Sequence, residues 1–263
     1  MSQKDHFTAL RQGLSSGYNL LLDRHIDVRT GLDFGIHVLS SGQSFRWRDN
    51  ETECAFLILH GYGEISADSR SVSFGRTNWI HQKPFVVHGP AGCLFEIKAE
   101  TDCEIAFVGT ANTAHFEPRF FAPPDIHTEH RGKGVLHDTS YRLIRCVFDN
   151  DNSPPEVKLV LGEVVNLPGR WSSYPPHHHP QPEIYYYRFS PERGYGHGEL
   201  GENVFLLRNH DLLRIIDSQD HSQVAAPGYY MYYLWAIRHL ETARYTGFEF
   251  NPHHKWLLKT EVK

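Results

Sequence analysis

From Phe34 onward the chain breaks into short apolar runs separated by Gly, Asn, Asp and Pro. Ile36–Leu39, Ala55–Leu59, Gly63–Ile65, Val72–Phe74, Trp79-Ile80, Phe85–Val87, Cys93–Ile97 and Glu104–Val108 follow one another. Their spacing of about 8–12 residues is the rhythm of a β-sandwich or barrel. No sustained 3.6-residue periodicity interrupts it, which argues against an alternating strand–helix fold. Residues 1–30 are polar and weakly amphipathic, and Leu20–Leu22 reads as a short strand or helix end. The Pro-rich stretch Glu117–Asp125 reads as an extended bridge, because residues before proline avoid the helical region. Beyond it, Thr139–Phe148 and Val157–Val165 begin a second series of strands that runs to about Glu249. The expected fold is all-β, with two similar barrels in tandem. The expected boundary divides the chain into residues 1–125 and 126–263.

At 263 residues the chain can bury a substantial core without covalent staples. Its formal net charge is −5 and it has no Lys/Arg run, so neither a nucleic acid nor an anionic membrane is an expected partner. No stretch of 18 or more apolar residues suggests a spanning helix. The amino-terminal residues lack the charged-then-apolar pattern of a signal. Cys54, Cys93, Cys103 and Cys146 lie far apart, with no CxxC pair, and read as buried free thiols of a cytoplasmic protein.

The chemistry concentrates in Tyr174-Pro-Pro-His-His-His-Pro-Gln-Pro-Glu183. Side chains alternate faces along a strand, so His177 and His179 point to one side and His178 to the other. Glu183 opens the next strand, on which Tyr185, Tyr187 and Phe189 share its face. His221 begins a later strand, after the turn Asp217–Asp220. Three imidazoles and one carboxylate form an N3O set suited to a first-row divalent ion. A solvated His/Pro-rich loop is the alternative for the run itself.

The order of these residues resembles the two motifs of the cupin superfamily. More closely, Trp171–His177, Glu183–Arg188, Pro191, Gly194-Tyr-Gly196 and His221 with Ala226–Leu234 resemble the 5-deoxy-glucuronate isomerase family. Its members are bicupin enzymes of inositol breakdown, related to the 4-deoxy-threo-hexosulose-uronate ketol-isomerases of pectin breakdown. Glu129–Gly132 and Asn251–Trp256 fit as well. The resemblance implies two tandem jelly-roll barrels, with metal ligands His177, His179, Glu183 and His221 in the second. The first barrel has no HxH…E set, and its His81 and His88 read as structural or surface residues. Two features depart from the family pattern. Only Pro180-Gln-Pro182 separates His179 from Glu183, and Asp217–Asp220 replaces a Pro-x-Gly turn. The altered rim leaves room for a different sugar acid.

The implied activity is a metal-dependent aldose–ketose isomerisation of a deoxy-uronate, most simply 5-deoxy-glucuronate to 5-dehydro-2-deoxy-gluconate. Zn, Mn, Fe and Ni are equally compatible with the ligand set. A bound ion would polarise the carbonyl and the neighbouring hydroxyl, and a protein acid or base would move the proton. Tyr185 and Tyr187 are the candidates for that role, with aromatic core packing as the alternative for each. Arg131, Arg170 and Lys255 are the candidates for the substrate carboxylate. A cupin iron dioxygenase and a non-catalytic sugar-binding bicupin are the competing readings. A homo-oligomer of unspecified size is expected.

Overall fold

Alternation builds the strands. Glu183–Ser190 sends Tyr185, Tyr187 and Phe189 into one apolar cluster, and the strand is buried along nearly all its length. The computed structural model describes residues 6–259. Among these residues helical structure is confined to the short 3-10 turns Pro123–Asp125, Leu136–Asp138 and Lys255–Lys259. Among the described residues no helix is long and apolar enough to cross a membrane.

The chain forms two compact units. One comprises Leu14–His127 and Val147–Val160; the other comprises the segment through Gly13, Thr128–Cys146, and the chain from Leu161 onward. A single cut at 125/126 therefore does not describe the division. Phe7 and Thr8 pair with Leu213 and Leu212, at the edge of the second unit's larger sheet. The backbone N–H groups of Lys158 and Leu159 donate to the buried carboxylate of Glu53, at 2.8 and 3.0 Å, within the first unit. Both exchanges depend on pairings between residues more than 100 positions apart, which local sequence patterns do not record.

The first unit is built on the strand Thr52–Ala67. The sequence rhythm suggests two strands here. The backbone instead continues through a bulge between Ile58 and His60, and Gly61 at φ 105° lies against the Cys103 backbone. Along its length this strand pairs with Cys103–Ala111, Val86–Gly89, Phe95–Ala99 and Arg70–Arg76. Phe56, Phe95, Phe107, Ile58 and Ile105 fill the core. Trp79-Ile80, expected as a strand, is a turn in which Asn78 Oδ1 accepts the Ile80 N–H at 2.9 Å. Leu20–Leu22 lies within the strand Gly17–Leu22.

The second unit has a seven-stranded and a five-stranded sheet. Tyr185, Tyr187, Phe189, Met231 and Tyr233 of the larger sheet pack against Leu200, Phe205, Leu207 and Ala225 of the smaller. The larger sheet centres on Glu183–Ser190 paired with Tyr230–Arg238, and the smaller on Trp171–His178 paired with His221–Ala225. Cys54, Cys93 and Cys103 are buried free thiols, and Cys146 is a half-buried one.

Candidate metal centre

The residues singled out in the sequence converge between the two sheets of the second unit. His177 lies on the strand Trp171–His178 and His221 begins the strand that pairs with it. Glu183 opens a central strand of the other sheet, and His179 sits just past the end of its own strand. The donor atoms of His179, Glu183 and His221 all fall within 4.8 Å of one another, and all three residues are buried. Glu183 Oε2 lies 3.1 Å from His179 Nε2 and 3.5 Å from His221 Nε2. His177 is not in that tightest trio. Its ring centroid stands 4.5 Å from that of His221, and His177 lines the pocket described below. His178 turns the other way and meets Asp220 Oδ1 at 2.8 Å, as strand parity requires. The solvated-loop alternative does not hold. His177, His179, Gln181 and Glu183 are buried, and Gln181 Nε2 donates to the Ala243 carbonyl at 3.0 Å.

The protonation pattern suits cation binding. Burial, reinforced by the neighbouring imidazoles, pushes His177 and His221 down to about 3, so both rings are neutral at ordinary pH. His221 Nδ1 faces the Gln219 carbonyl at 3.2 Å, and His177 Nδ1 faces that of Pro175 at 3.4 Å. Each contact favours a proton on Nδ1 and leaves the Nε2 lone pair free. His221 Nε2 is buried without a hydrogen-bond partner, an arrangement that is costly unless something else satisfies it. Neutral imidazole nitrogens around a carboxylate fit a divalent first-row ion.

A pocket of about 470 Å³, open to solvent at its mouth, leads to this cluster. Tyr185 lines it, with its hydroxyl 3.2 Å from Ser173 Oγ. Ser173 in turn lies 3.2 Å from the Tyr233 hydroxyl, and Ser172 reaches the same oxygen at 2.5 Å. Ser173 holds φ 51°, an uncommon conformation for a side chain other than Gly, Asn or Asp, and it coincides with a register shift between Ser172 and His177. That irregularity aims its hydroxyl at the two tyrosines. Burial raises Tyr185 and Tyr187 well above the usual phenol range. Trp235 lies against Gly162, where a Cβ would come within 2.4 Å of the indole. Phe248 packs on His177 at 4.1 Å between centroids, and Tyr245 on His179 at 5.0 Å.

Several expected site residues lie elsewhere. Tyr187 shares a face with Tyr185 but is a core residue, and its hydroxyl donates to Gln223 Oε1 at 2.6 Å. Arg170 donates to the His137 carbonyl and Lys255 is exposed; neither lines the pocket. Arg131 does line it, but it donates twice to Glu129, both times at 2.6 Å. The pocket's other cation, Arg142, escaped the sequence reading. Its signal was an arginine in phase with Ile144 on the inward face of Arg142–Phe148. Tyr245 and Phe248 left no local signal, because only the path of the carboxy-terminal segment brings them over the histidines.

Several known proteins resemble this chain over most of its length. The 5-deoxy-glucuronate isomerase of Geobacillus kaustophilus (strain HTA426) is 27% identical, covering 87% of this chain and 86% of that protein. The 5-deoxy-glucuronate isomerase of Halalkalibacterium halodurans is 24% identical over 95% of this chain and 97% of its own. A crystal structure of an IolB-like protein from Salmonella typhimurium LT2 superposes with a TM-score of 0.86 at 20% identity, covering 96% of this chain and 99% of that one. The Lactobacillus farciminis oxalate decarboxylase–formate complex aligns with a TM-score of 0.70 at 14% identity, over 97% of this chain and 90% of that one. These two structures bear out the all-β bicupin architecture. The chain belongs to the KduI/IolB family, whose model matches residues 15–257.

Proposed function

We propose that this protein is an aldose–ketose isomerase that converts 5-deoxy-glucuronate to 5-dehydro-2-deoxy-gluconate, a step of inositol catabolism. The observation that carries the reading is the buried His179–Glu183–His221 donor cluster at the end of a pocket, in a chain whose curated relatives are named for this activity. His177, His179, Glu183 and His221 would hold a divalent ion. When bound, the ion supplies a Lewis acid that polarises the sugar's carbonyl and adjacent hydroxyl.

The remaining work falls to the chain's own side chains. The carbonyl moves from C1 to C2: the C2 hydrogen and the C2 hydroxyl proton are lost, C1 gains a hydrogen and the former aldehyde oxygen gains a proton, so the change is redox-neutral and needs no external oxidant. Tyr185 keeps its phenolic proton at neutral pH, because burial raises its pKa well above 10. It acts as a hydrogen-bond and proton donor toward a sugar oxygen rather than as a phenolate base. Ser173 joins Tyr185 to Tyr233 in one hydroxyl chain, through which a proton can be replaced. Trp235, Tyr245 and Phe248 supply apolar walls that limit water at the reacting carbons. A cytoplasmic homo-oligomer acting on a small sugar acid completes the reading.

The test follows the substrate by NMR in D2O with metal-loaded protein. Turnover with deuterium entering at C1, unchanged under anaerobic conditions, is the expected outcome. Retained metal with no turnover on any uronate, or turnover that needs oxygen, would overturn it.

A further inference from the structure

A uronate brings a carboxylate into the pocket, and of the two arginines lining it, Arg142 has no ion-pair partner among the described residues. Arg142 is 4% exposed and lines the same pocket as His177, His179, Glu183 and Tyr185. Its guanidinium donates to two backbone carbonyls, Ser140 at 2.7 Å and Tyr174 at 3.1 Å. Its Nε has no hydrogen-bond partner among the described residues. Among the described residues no carboxylate lies within ion-pair distance of it, and Glu129, the nearest acidic influence on it, is engaged by Arg131. Arg131, its register partner on the adjoining strand, is already neutralised by two hydrogen bonds to Glu129. A buried guanidinium with no carboxylate beside it is unfavourable, as when one partner of a buried ion pair is removed. Such a cost persists where an incoming anion offsets it. The two backbone bonds fix the plane of the fork, so little freedom remains to be lost on binding.

We propose that Arg142 is the carboxylate-binding, specificity-determining residue of this pocket. It selects sugar acids over neutral sugars by pairing with the carboxylate while the aldehyde end lies toward the histidine–glutamate cluster. The inference rests on the uronate reading of the site. Arg142 also accounts for an anionic substrate without Arg170 or Lys255, which lie outside the pocket.

The test uses two probes that cannot isomerise: 5-deoxy-glucuronate reduced to the alcohol at C1, and the same compound with C6 reduced from carboxylate to alcohol. Binding to metal-loaded protein is measured by calorimetry for wild type, Arg142→Met and Arg142→Lys, with metal content measured alongside. Wild type is expected to prefer the carboxylate probe by about 30-fold or more, from the strength of a charge-assisted hydrogen bond. R142M is expected to lose that preference with its metal content unchanged, and R142K to keep part of it. Equal binding of the two probes by wild type would overturn the inference, as would a preference surviving in R142M. Because no turnover is read, an inactive wild type that still discriminates would leave the arginine's role standing and sink only the isomerase reading. Loss of fold in R142M leaves the wild-type comparison and R142K to decide.

Discussion

His177 and His221 are direct Cα partners across the antiparallel pair formed by Trp171–His178 and His221–Ala225, and their ring centroids lie 4.5 Å apart. Glu183 meets them from the other sheet, with Oε2 3.5 Å from His221 Nε2. The centre therefore exists only where the two sheets face each other.

Removing a ligand should remove the ion. His179→Ala and His221→Ala are each expected to weaken metal binding more than about 100-fold, beyond the effect typical of an outer-shell partner. His178→Ala should retain full occupancy, because His178 faces Asp220. Metal content by mass spectrometry decides; unchanged occupancy in H179A would sink the ligand assignment. Chelation should also lower the melting temperature of wild type, and restoring a divalent ion should recover it, because a ligand of the native state stabilises it by mass action.

The two neighbouring tyrosines should separate cleanly. Tyr185→Phe is expected to lower kcat by about 10²–10⁴-fold with metal retained, the usual loss for a general acid. Tyr187→Phe leaves Gln223 Oε1 without its 2.6 Å donor in the core. It is expected to cost about 1–3 kcal/mol of stability with little change in kcat. Steady-state kinetics and denaturant titration on both variants check this, and an inactive but stable Y187F would reverse the assignment.

Glu53 should be the most sensitive polar position of the first unit. Its buried carboxylate accepts from His88 Nε2 at 2.9 Å, Asn112 Nδ2 at 2.6 Å and the N–H groups of Lys158 and Leu159. Burial opposes its ionisation, yet these bonds outweigh burial and hold its pKa below the ordinary carboxylate value. His88 is pushed down by burial and pairs as a neutral ring. Glu53→Ala is expected to cost about 3–5 kcal/mol, the penalty for orphaning a buried network. The mutation touches no residue of the metal cluster, so E53A that still folds should bind metal normally. A stability loss within 1 kcal/mol would contradict this account.

His37 makes the first unit acid-sensitive. It stacks between Tyr18 and Phe45, and burial lowers its pKa from 6.5 to about 4. Between those values the unfolded chain binds a proton that the folded chain refuses, so stability falls as pH drops. Its contribution at pH 5 is a loss of about 2 kcal/mol relative to pH 7. His37→Phe should flatten that slope, which chemical denaturation at both pH values would detect. Identical slopes in H37F and wild type would argue against it.

Strand rhythm and the face shared by His177 and His179 were legible in the chain, because strand periodicity is a local property. Tyr187 was misjudged because parity gives a face but not a depth: two residues further along the strand, the pocket has closed into core. Trp79-Ile80 was misjudged because a two-residue apolar run carries no period.

What tertiary structure alone decided follows from long-range pairing. Phe7–Thr8 finds Leu212–Leu213, and Glu53 finds Lys158 and Leu159, so a boundary drawn at 125/126 could not describe the two units. Arg142 looks like an ordinary strand arginine until Arg131 is seen to be paired with Glu129 and Arg142 to have no ion-pair partner among the described residues. The amino-acid order sets which side chains share a face and which chemistry they carry. Burial and pairing of charge depend on what packs opposite, and that is settled only when the sheets close over one another.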